Sequence, residues 1–313
     1  MNLEKILAKE NVIGSNSVFD FVPFILVGIC LIMLVVIAGV IVSLIRGKKK
    51  AAVAQTVVKV EDLIEPQELT VGKAQTIGAR ENQQDSYSVS GDEQTVLAVV
   101  ADGMGGLQNG AEISGIVSYV FKEGFMGLKA ASQPEVELVN IVRMANEQAC
   151  GYIGTSAGGQ SGSTLVATYI RDGKLYFASV GDSRIYLMRN QQLVPLNREH
   201  IYAYELDEKV VNGEMSDEKA LSHRERKSLT SYIGMGSLKH VDRNLTPLTL
   251  QKDDVILLAS DGVFNTLSET EMIEALNKSN PQEAAIQLIE EVGYKAKPGQ
   301  DNATAVVLFY RRG

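Results

Sequence analysis

Several apolar, strand-like segments of this 313-residue chain each run into an aspartate. The clearest runs from Thr95 to Ala101, is rich in β-branched residues and leads into Asp102-Gly103-Met104-Gly105-Gly106. Its composition predicts a buried strand. Glycine lets a ligand approach the main chain closely, and aspartate offers the oxygen ligands that Mg²⁺ and Mn²⁺ prefer. An ordinary Asp-Gly turn after a strand is the alternative interpretation.

Four more aspartates favour the metal interpretation. Asp182 lies between two strand-like runs, Asp261 directly follows one, Asp301 precedes one, and Asp85 stands five residues after Arg80. Aspartates that gather at strand ends can form one carboxylate site for two hard cations. The sequence therefore predicts such a site.

The charge and cysteine content argue against a nucleic-acid-binding protein and against a fold held by disulfides. The net charge is −8, and 45% of the residues are hydrophobic, which supports a large core. An acidic chain lacks the basic surface that nucleic acids require, so we expect no nucleic-acid partner. The two cysteines, Cys30 and Cys150, form no disulfide framework and are typical of a reducing compartment.

Residues 21–45 carry no formal charge. A helix of this length spans about 37 Å at about 1.5 Å per residue, enough to cross a hydrocarbon core of about 30 Å. Arg46 and Lys48 to Lys50 follow at once, and such basic clusters favour the cytoplasmic side. We therefore expect a single-pass protein of the cell membrane, with a short tail (1–20) outside and the remainder in the cytoplasm. A cleaved signal peptide is the alternative, but the lysine cluster stands where a cleavage site of small residues would be expected.

After a basic juxtamembrane stretch and linker (46–70), residues 71–313 are predicted to form one folded domain. The pattern predicts helices over 111–128 and from Pro134, two hairpins within 163–195, a strand over 230–234 and helices starting near Ser268 and Pro281. Antiparallel strands with a few long helices indicate an α+β fold. Residues 197–228 are charged and helix-prone, as in a solvated surface insertion.

The order of these motifs resembles a known family. Six motifs resemble, in identity and order, those of the metal-dependent serine/threonine protein phosphatases of type 2C, here as a membrane-anchored, bacterial-type member. They are Arg80-x4-Asp85, Asp102-Gly-Met-Gly-Gly, Gly162-Ser-Thr, Gly181-Asp-Ser-Arg, Ser260-Asp-Gly and Asp301-Asn302. The resemblance runs from about Gly72 to about Tyr310. It implies two packed antiparallel β-sheets flanked by helices, a four-layer sandwich, with 197–228 as a mobile flap near the active site.

The resemblance also implies roles for individual residues. Asp102 would bridge two Mn²⁺ or Mg²⁺ ions, and Gly103 would offer its carbonyl. Asp261 and Asp301 would ligate one ion, and Asp182 with Asp261 would hold a weaker third ion. Asp85 would act through a water, Arg80 would bind phosphate, and Asn302 would orient Asp301 or a water. Gln84 and Met104 depart from relatives that carry a glutamate and a histidine at these positions. Alternatively, Asp182 caps a turn and pairs with Arg184. The three histidines are widely spaced and are interpreted as ordinary polar residues.

The implied activity is hydrolysis of phosphoserine and phosphothreonine in proteins at the cytoplasmic membrane face, by attack of a metal-bridging water on phosphorus. The expected partners are phosphoprotein substrates, among them a serine/threonine kinase or its targets. Two alternatives stay open at this point: a catalytically inactive metal-binding sensor or interaction module on the same fold, and a membrane-tethered scaffold.

Overall fold

A computed structural model describes residues 69–92, 94–105, 109–155, 161–295 and 297–310. The predicted tail, membrane helix and most of the linker lie outside these ranges and stay predictions. Within the described ranges, no helix combines the length and apolar character needed to span a membrane.

The strands occupy segments close to those predicted. They are β1 (Leu69–Thr76), β2 (Asp85–Gly91), β3 (Thr95–Met104), β4 (Gly162–Ser163), β5 (Leu165–Arg171), β6 (Lys174–Val180), β7 (Arg184–Arg189), β8 (Gln192–Pro195), β9 (Asp242–Arg243), β10 (Leu248–Thr249), β11 (Asp254–Ala259) and β12 (Ala303–Tyr310). The β5–β6 hairpin turns at Asp172-Gly173 and the β7–β8 hairpin at Asn190-Gln191, all four with positive φ. Two such residues in succession give the turn geometry that matches the twist of a hairpin.

The helices are α1 (Asn109–Ala130), α2 (Pro134–Thr155), α3 (Ala203–Val211), α4 (Asp217–Leu221), α5 (Asp261–Phe264), α6 (Glu269–Leu276) and α7 (Pro281–Lys295). The helix start predicted near Ser268 is confirmed, and Ser268 and Glu271 exchange side-chain to backbone hydrogen bonds there as a capping box.

Two antiparallel sheets form the centre of the fold. One has the order β1-β12-β11-β7-β8, and the other has the order β10-β6-β5-β3-β2, with β4 added to β3 and β9 added to β6. Residues such as Val100 and Leu258 fill the space between the sheets. Helices α1 and α2 cover the outer face of the second sheet, and α6 and α7 cover the outer face of the first. The expected four-layer arrangement is therefore confirmed, and both faces of each sheet are buried, which explains the continuous apolar runs.

The predicted strand over Thr230–Gly234 is wrong. Only one bridge forms there, between Ser163 and Ile233. The chain then turns away at Gly234, whose φ is +99° and whose N–H donates to the Asn146 side chain on α2. Residues 197–228 contain the short helices α3 and α4, and a bridge between Ile201 and Leu229 closes the base of this segment, which we call the flap.

Candidate active site

Strands β2 and β3 place two of the aspartates side by side. Asp85 opens β2, Asp102 lies near the end of β3, and the two are directly opposite one another in the antiparallel register. Like charges in this arrangement destabilise a sheet unless a cation or a proton separates them. The register alone therefore brings two acids to one end of the second sheet.

Ser260 joins this end to the first sheet. Its hydroxyl donates to Asp85 Oδ2 at 2.7 Å and accepts a hydrogen bond from the Thr304 N–H at 2.9 Å. The next residue, Asp261, opens α5, and its carboxyl is close enough to that of Asp102 for each to affect the pKa of the other. The two sheets therefore deliver their acids to a common point.

Buried hydroxyl groups fix the backbone of Asp102. The Asp102 N–H donates to Thr164 Oγ1 at 3.0 Å, and the Ser163 hydroxyl donates to the Asp102 carbonyl at 3.0 Å. Thr164 Oγ1 also lies 2.7 Å from the Ser183 hydroxyl, beside Asp182. The Gly-Ser-Thr motif thus serves as a brace between the Asp102 and Asp182 segments.

Gly103 lies in a crowded part of the site. A Cβ at this position would come within 2.1 Å of the Gly110 carbonyl oxygen, so no other residue fits without a backbone shift. The Gly103 N–H donates to the Gln84 carbonyl at 3.1 Å, and the Gln84 side chain donates to the Gly105 carbonyl at 3.2 Å. Gln84 therefore holds the glycine segment. Gly106 lies outside the described residues.

Asn302 anchors the loop that carries Arg80. Its side-chain oxygen accepts from the Gln84 N–H at 2.8 Å, and its side-chain nitrogen donates to the carbonyls of Ile77 and Asn82. The contact with Asp301 comes instead from the backbone, since the Asn302 N–H donates to Asp301 Oδ1 at 2.9 Å. The Asn302 side chain is thus a loop anchor.

Arg80 lies at the exposed edge of the acid cluster. One of its terminal nitrogens forms an ion pair with Asp301 Oδ2 at 2.6 Å, with both side chains about half exposed. A guanidinium in this place can reach an anion that enters beside the acids, because its remaining N–H donors are available for phosphate oxygens.

Burial and mutual repulsion raise the pKa values of the clustered acids. Burial raises the pKa of Asp85 to about 6 and that of Asp182 to about 7. Burial, followed by the neighbouring carboxylates, raises the pKa of Asp102 well above its ordinary range, and that of Asp261 is raised for the same reasons. A site of this kind stabilises positive charge strongly.

Asp182 does not pair with Arg184. The Arg184 guanidinium donates to Glu199 at the base of the flap at 2.9 Å, and it stacks 4.0 Å from the centre of the Phe264 ring. Glu199 adds to the repulsion that raises the pKa of Asp182. The alternative in which Asp182 serves only as a partner for Arg184 therefore loses its main support.

The chemistry of these side chains fits hard cations. Asp85 Oδ1 and Asp261 Oδ1 are buried without a hydrogen-bond partner, and all the acid donors are oxygens. The second oxygen of each is engaged, since Asp85 Oδ2 accepts from Ser260 and Asp261 Oδ2 accepts from Asn265. Asp301 Oδ2 pairs with Arg80. Accordingly, within the described ranges no three His, Cys, Asp or Glu side chains stand together in an arrangement that could hold a metal ion.

Sequence reasoning missed several supporting residues. His200 is 7% exposed, accepts from the Gly181 N–H through Nδ1, and has a pKa lowered to about 4 by burial, so it is a neutral structural acceptor. Asn265, at the end of α5, holds Asp261. The position of Asn265 four residues after Asp261, one helical turn away, was the signal available in the sequence.

The chain was compared with protein families and with known proteins of similar sequence. A family model described as protein phosphatase 2C matches residues 74–290. The serine/threonine phosphatase stp of Listeria monocytogenes serotype 4b is 31% identical over 217 residues, which covers 68% of this chain and 83% of that protein.

Solved structures agree with the sequence matches. The serine/threonine phosphatase PstP/Ppp of Mycobacterium tuberculosis superimposes with a TM-score of 0.65 at 26% identity, covering 78% of this chain and 99% of that one. A PstP catalytic domain in complex with two manganese ions gives a TM-score of 0.62 at 26% identity, covering 77% and 97%.

Proposed function

Since the chain belongs to the protein phosphatase 2C family, we propose that it hydrolyses phosphoserine and phosphothreonine in proteins at the cytoplasmic face of a membrane. Serine/threonine phosphatase activity of this type follows from the family and its relatives. The observation that carries the proposal to this chain's own residues is the convergence of Asp85, Asp102 and Asp261 at one end of the two sheets, with Arg80 at its open edge.

The family implies dependence on Mn²⁺ or Mg²⁺. Asp102, the Gly103 carbonyl, Asp261 and Asp301 would hold two ions, with Asp85 acting through a water and Asp182 contributing to a third, weaker site. Bound there, the ions would supply a nucleophile at neutral pH and neutralise phosphoryl charge.

The chain's own residues orient the substrate and the acids. Arg80 would leave Asp301 and bind the phosphate oxygens with its planar group of donors. Ser260 and Thr164 keep Asp85 and the Asp102 backbone fixed, so little reorganisation is required when substrate binds.

The membrane location rests on the sequence of residues 21–50. The uncharged run is long enough to span a bilayer, and the basic cluster that follows favours a cytoplasmic domain. The substrates would then be phosphoproteins that come close to the membrane, such as a serine/threonine kinase or its targets.

The activity is tested by phosphate release from a phosphothreonine peptide by the full chain, with Mn²⁺, with Mg²⁺ and with chelator. Metal-dependent release supports the proposal. Metal binding without release would favour the inactive sensor, and the departures at Gln84 and Met104 would then be examined first.

The location is tested by extracting membranes with alkaline carbonate. The full chain should remain in the membrane fraction, and deletion of the apolar run 21–45 should release it. Wild-type protein that is extracted completely would overturn the anchor. A fluorescent protein fused to the C-terminus should fluoresce inside the cell.

A further inference from the structure

A small cleft of about 200 Å³ adjoins the acid cluster. Asp261 and Asp301 line it together with Gly262, Asn265, Thr266 and residues 297–300. Two of the acids implied to hold metal therefore line this cleft, so that a group seated in it would lie beside the metal site.

Residues 297–300, which line the cleft, form a tight turn. The Gln300 N–H donates to the Lys297 carbonyl at 3.0 Å, with Pro298 and Gly299 between them. Gly299 has a φ of +71°, which a turn with proline at its second position and glycine at its third requires. Thr266 also holds Gln300 at 3.0 Å.

This turn presents a fixed ammonium group. Lys297 Nζ donates to the Asn265 carbonyl at 2.8 Å, which leaves two of its three N–H donors available. In the part of the chain that the structure describes, Lys297 forms no ion pair with an acid. One oxygen of each cleft acid has another partner, since Asp301 Oδ2 pairs with Arg80 and Asp261 Oδ2 accepts from Asn265.

From this geometry we infer that the cleft is a specificity subsite, in which Lys297 receives an acidic side chain that neighbours the phosphoresidue of the substrate. The inference rests on the proposed phosphatase function and adds a substrate class to it. The volume suits one aspartate or glutamate side chain, and the bound cations would neutralise the acids of the cleft that would otherwise repel it.

A purely structural role for Lys297 is the competing explanation. Asn265 is the C-cap of α5, and a lysine on the last carbonyls of a helix is a common stabilising contact. A structural lysine affects melting temperature but not the choice between peptides, which allows the two roles to be separated.

The test compares phosphothreonine peptides that carry either glutamate or lysine at one position, scanned from two residues before the phosphothreonine to two residues after it. The ratio of kcat/KM for the glutamate and lysine peptides is measured with the full chain at saturating Mn²⁺. Within one variant, this ratio cancels changes in metal affinity or folded fraction.

We expect wild type to prefer glutamate about threefold on one side of the phosphothreonine, as for an exposed charge pair. Lys297→Ala should bring the ratio close to one, and Lys297→Glu should reverse it. The matched control is Lys252→Glu, since Lys252 is exposed and precedes β11, whereas the acid cluster follows it, about 20 Å away. Its ratio should stay at the wild-type value.

A ratio that Lys297→Glu leaves unchanged at every position, or shifts equally on both sides, would overturn the subsite. Affinity for fluorescent peptides that carry a non-hydrolysable phosphonate is measured in parallel. If wild type hydrolyses no peptide, the proposed function fails, and these affinities alone decide the subsite by the same criterion.

Discussion

Asp85 and Asp102 face each other across neighbouring antiparallel strands, and Asp85 is only 6% exposed. Two carboxylates in such a pair repel one another, so the sheet is stabilised by a cation bound between them or by a proton on one of them. The first prediction concerns Asp102 of this pair, and the second concerns Asp182, another buried acid of the site.

Asp102→Asn should stabilise the metal-free protein, on the order of 1–3 kcal/mol, because it removes a charge that is costly to bury. The same variant should lose the rise in melting temperature that Mn²⁺ gives wild type, and its turnover should fall at least about a hundredfold. Thermal unfolding with and without Mn²⁺ checks this prediction. A variant that is less stable than wild type without metal would contradict it.

The substitution Asp182→Asn should raise the free energy of unfolding of the metal-free protein by an amount that depends on pH. Burial raises the pKa of Asp182 from 3.8 to about 7, so the folded protein binds more protons than the unfolded chain between these values. The metal-free wild type therefore loses stability through this group as pH rises from about 4 to 7. The advantage of the variant should be small near pH 4 and reach on the order of 2 kcal/mol or more above pH 7.

His200 acts in the opposite direction over part of this range, since its pKa is lowered to about 4. Because both proteins contain His200, the difference between their unfolding free energies removes its effect. Chemical denaturation in chelator at several pH values provides the measurement. A difference that does not change with pH would show that Asp182 ionises normally.

Arg80→Ala should lower kcat/KM for a phosphothreonine peptide by about 10- to 100-fold, because a charged hydrogen-bond donor to the phosphate is lost. Arg80→Lys should recover only part of this loss, since lysine lacks the planar pair of donors. Steady-state kinetics of both variants check the prediction. Wild-type kcat/KM in Arg80→Ala would remove Arg80 from the phosphate site.

Ser260→Ala should destabilise the protein by about 1–3 kcal/mol. The substitution removes the hydroxyl that donates to Asp85 and accepts from the Thr304 N–H, which leaves both groups buried without this partner. Denaturant unfolding measures the change. Ser237→Ala, on the exposed surface, is the control and should stay within about 0.5 kcal/mol of wild type.

Much of the fold was predictable because the relevant signals are local. Apolar runs bounded by turn residues gave β3, β11 and β12, and the Ser268–Glu271 box gave the start of α6. The aspartates could be placed at the ends of these strands for the same reason. Thr230–Gly234 had the right composition for a strand, but only Ile233 forms a bridge there.

The supporting contacts of the site could not be predicted, because they depend on the packing of two sheets. Ser260 and Asp85 are 175 residues apart in sequence, and nothing local to either one indicates the other. Arg184 lies two residues after Asp182 in sequence, yet it pairs with Glu199, because the fold brings the base of the flap beside it. Burial turned His200, a surface residue by composition, into an acceptor for the Gly181 N–H.

The central claim is that these acids form a metal-dependent phosphatase site, and it is tested most directly with Asp261→Asn beside wild type. Phosphate release from a phosphothreonine peptide is followed while Mn²⁺ is titrated into each metal-free protein. We expect release by wild type to rise with Mn²⁺ and saturate, and release by the variant to stay at least about a hundredfold lower at the same Mn²⁺ concentrations. Equal release by both proteins, or release by wild type that persists in chelator, would contradict the account.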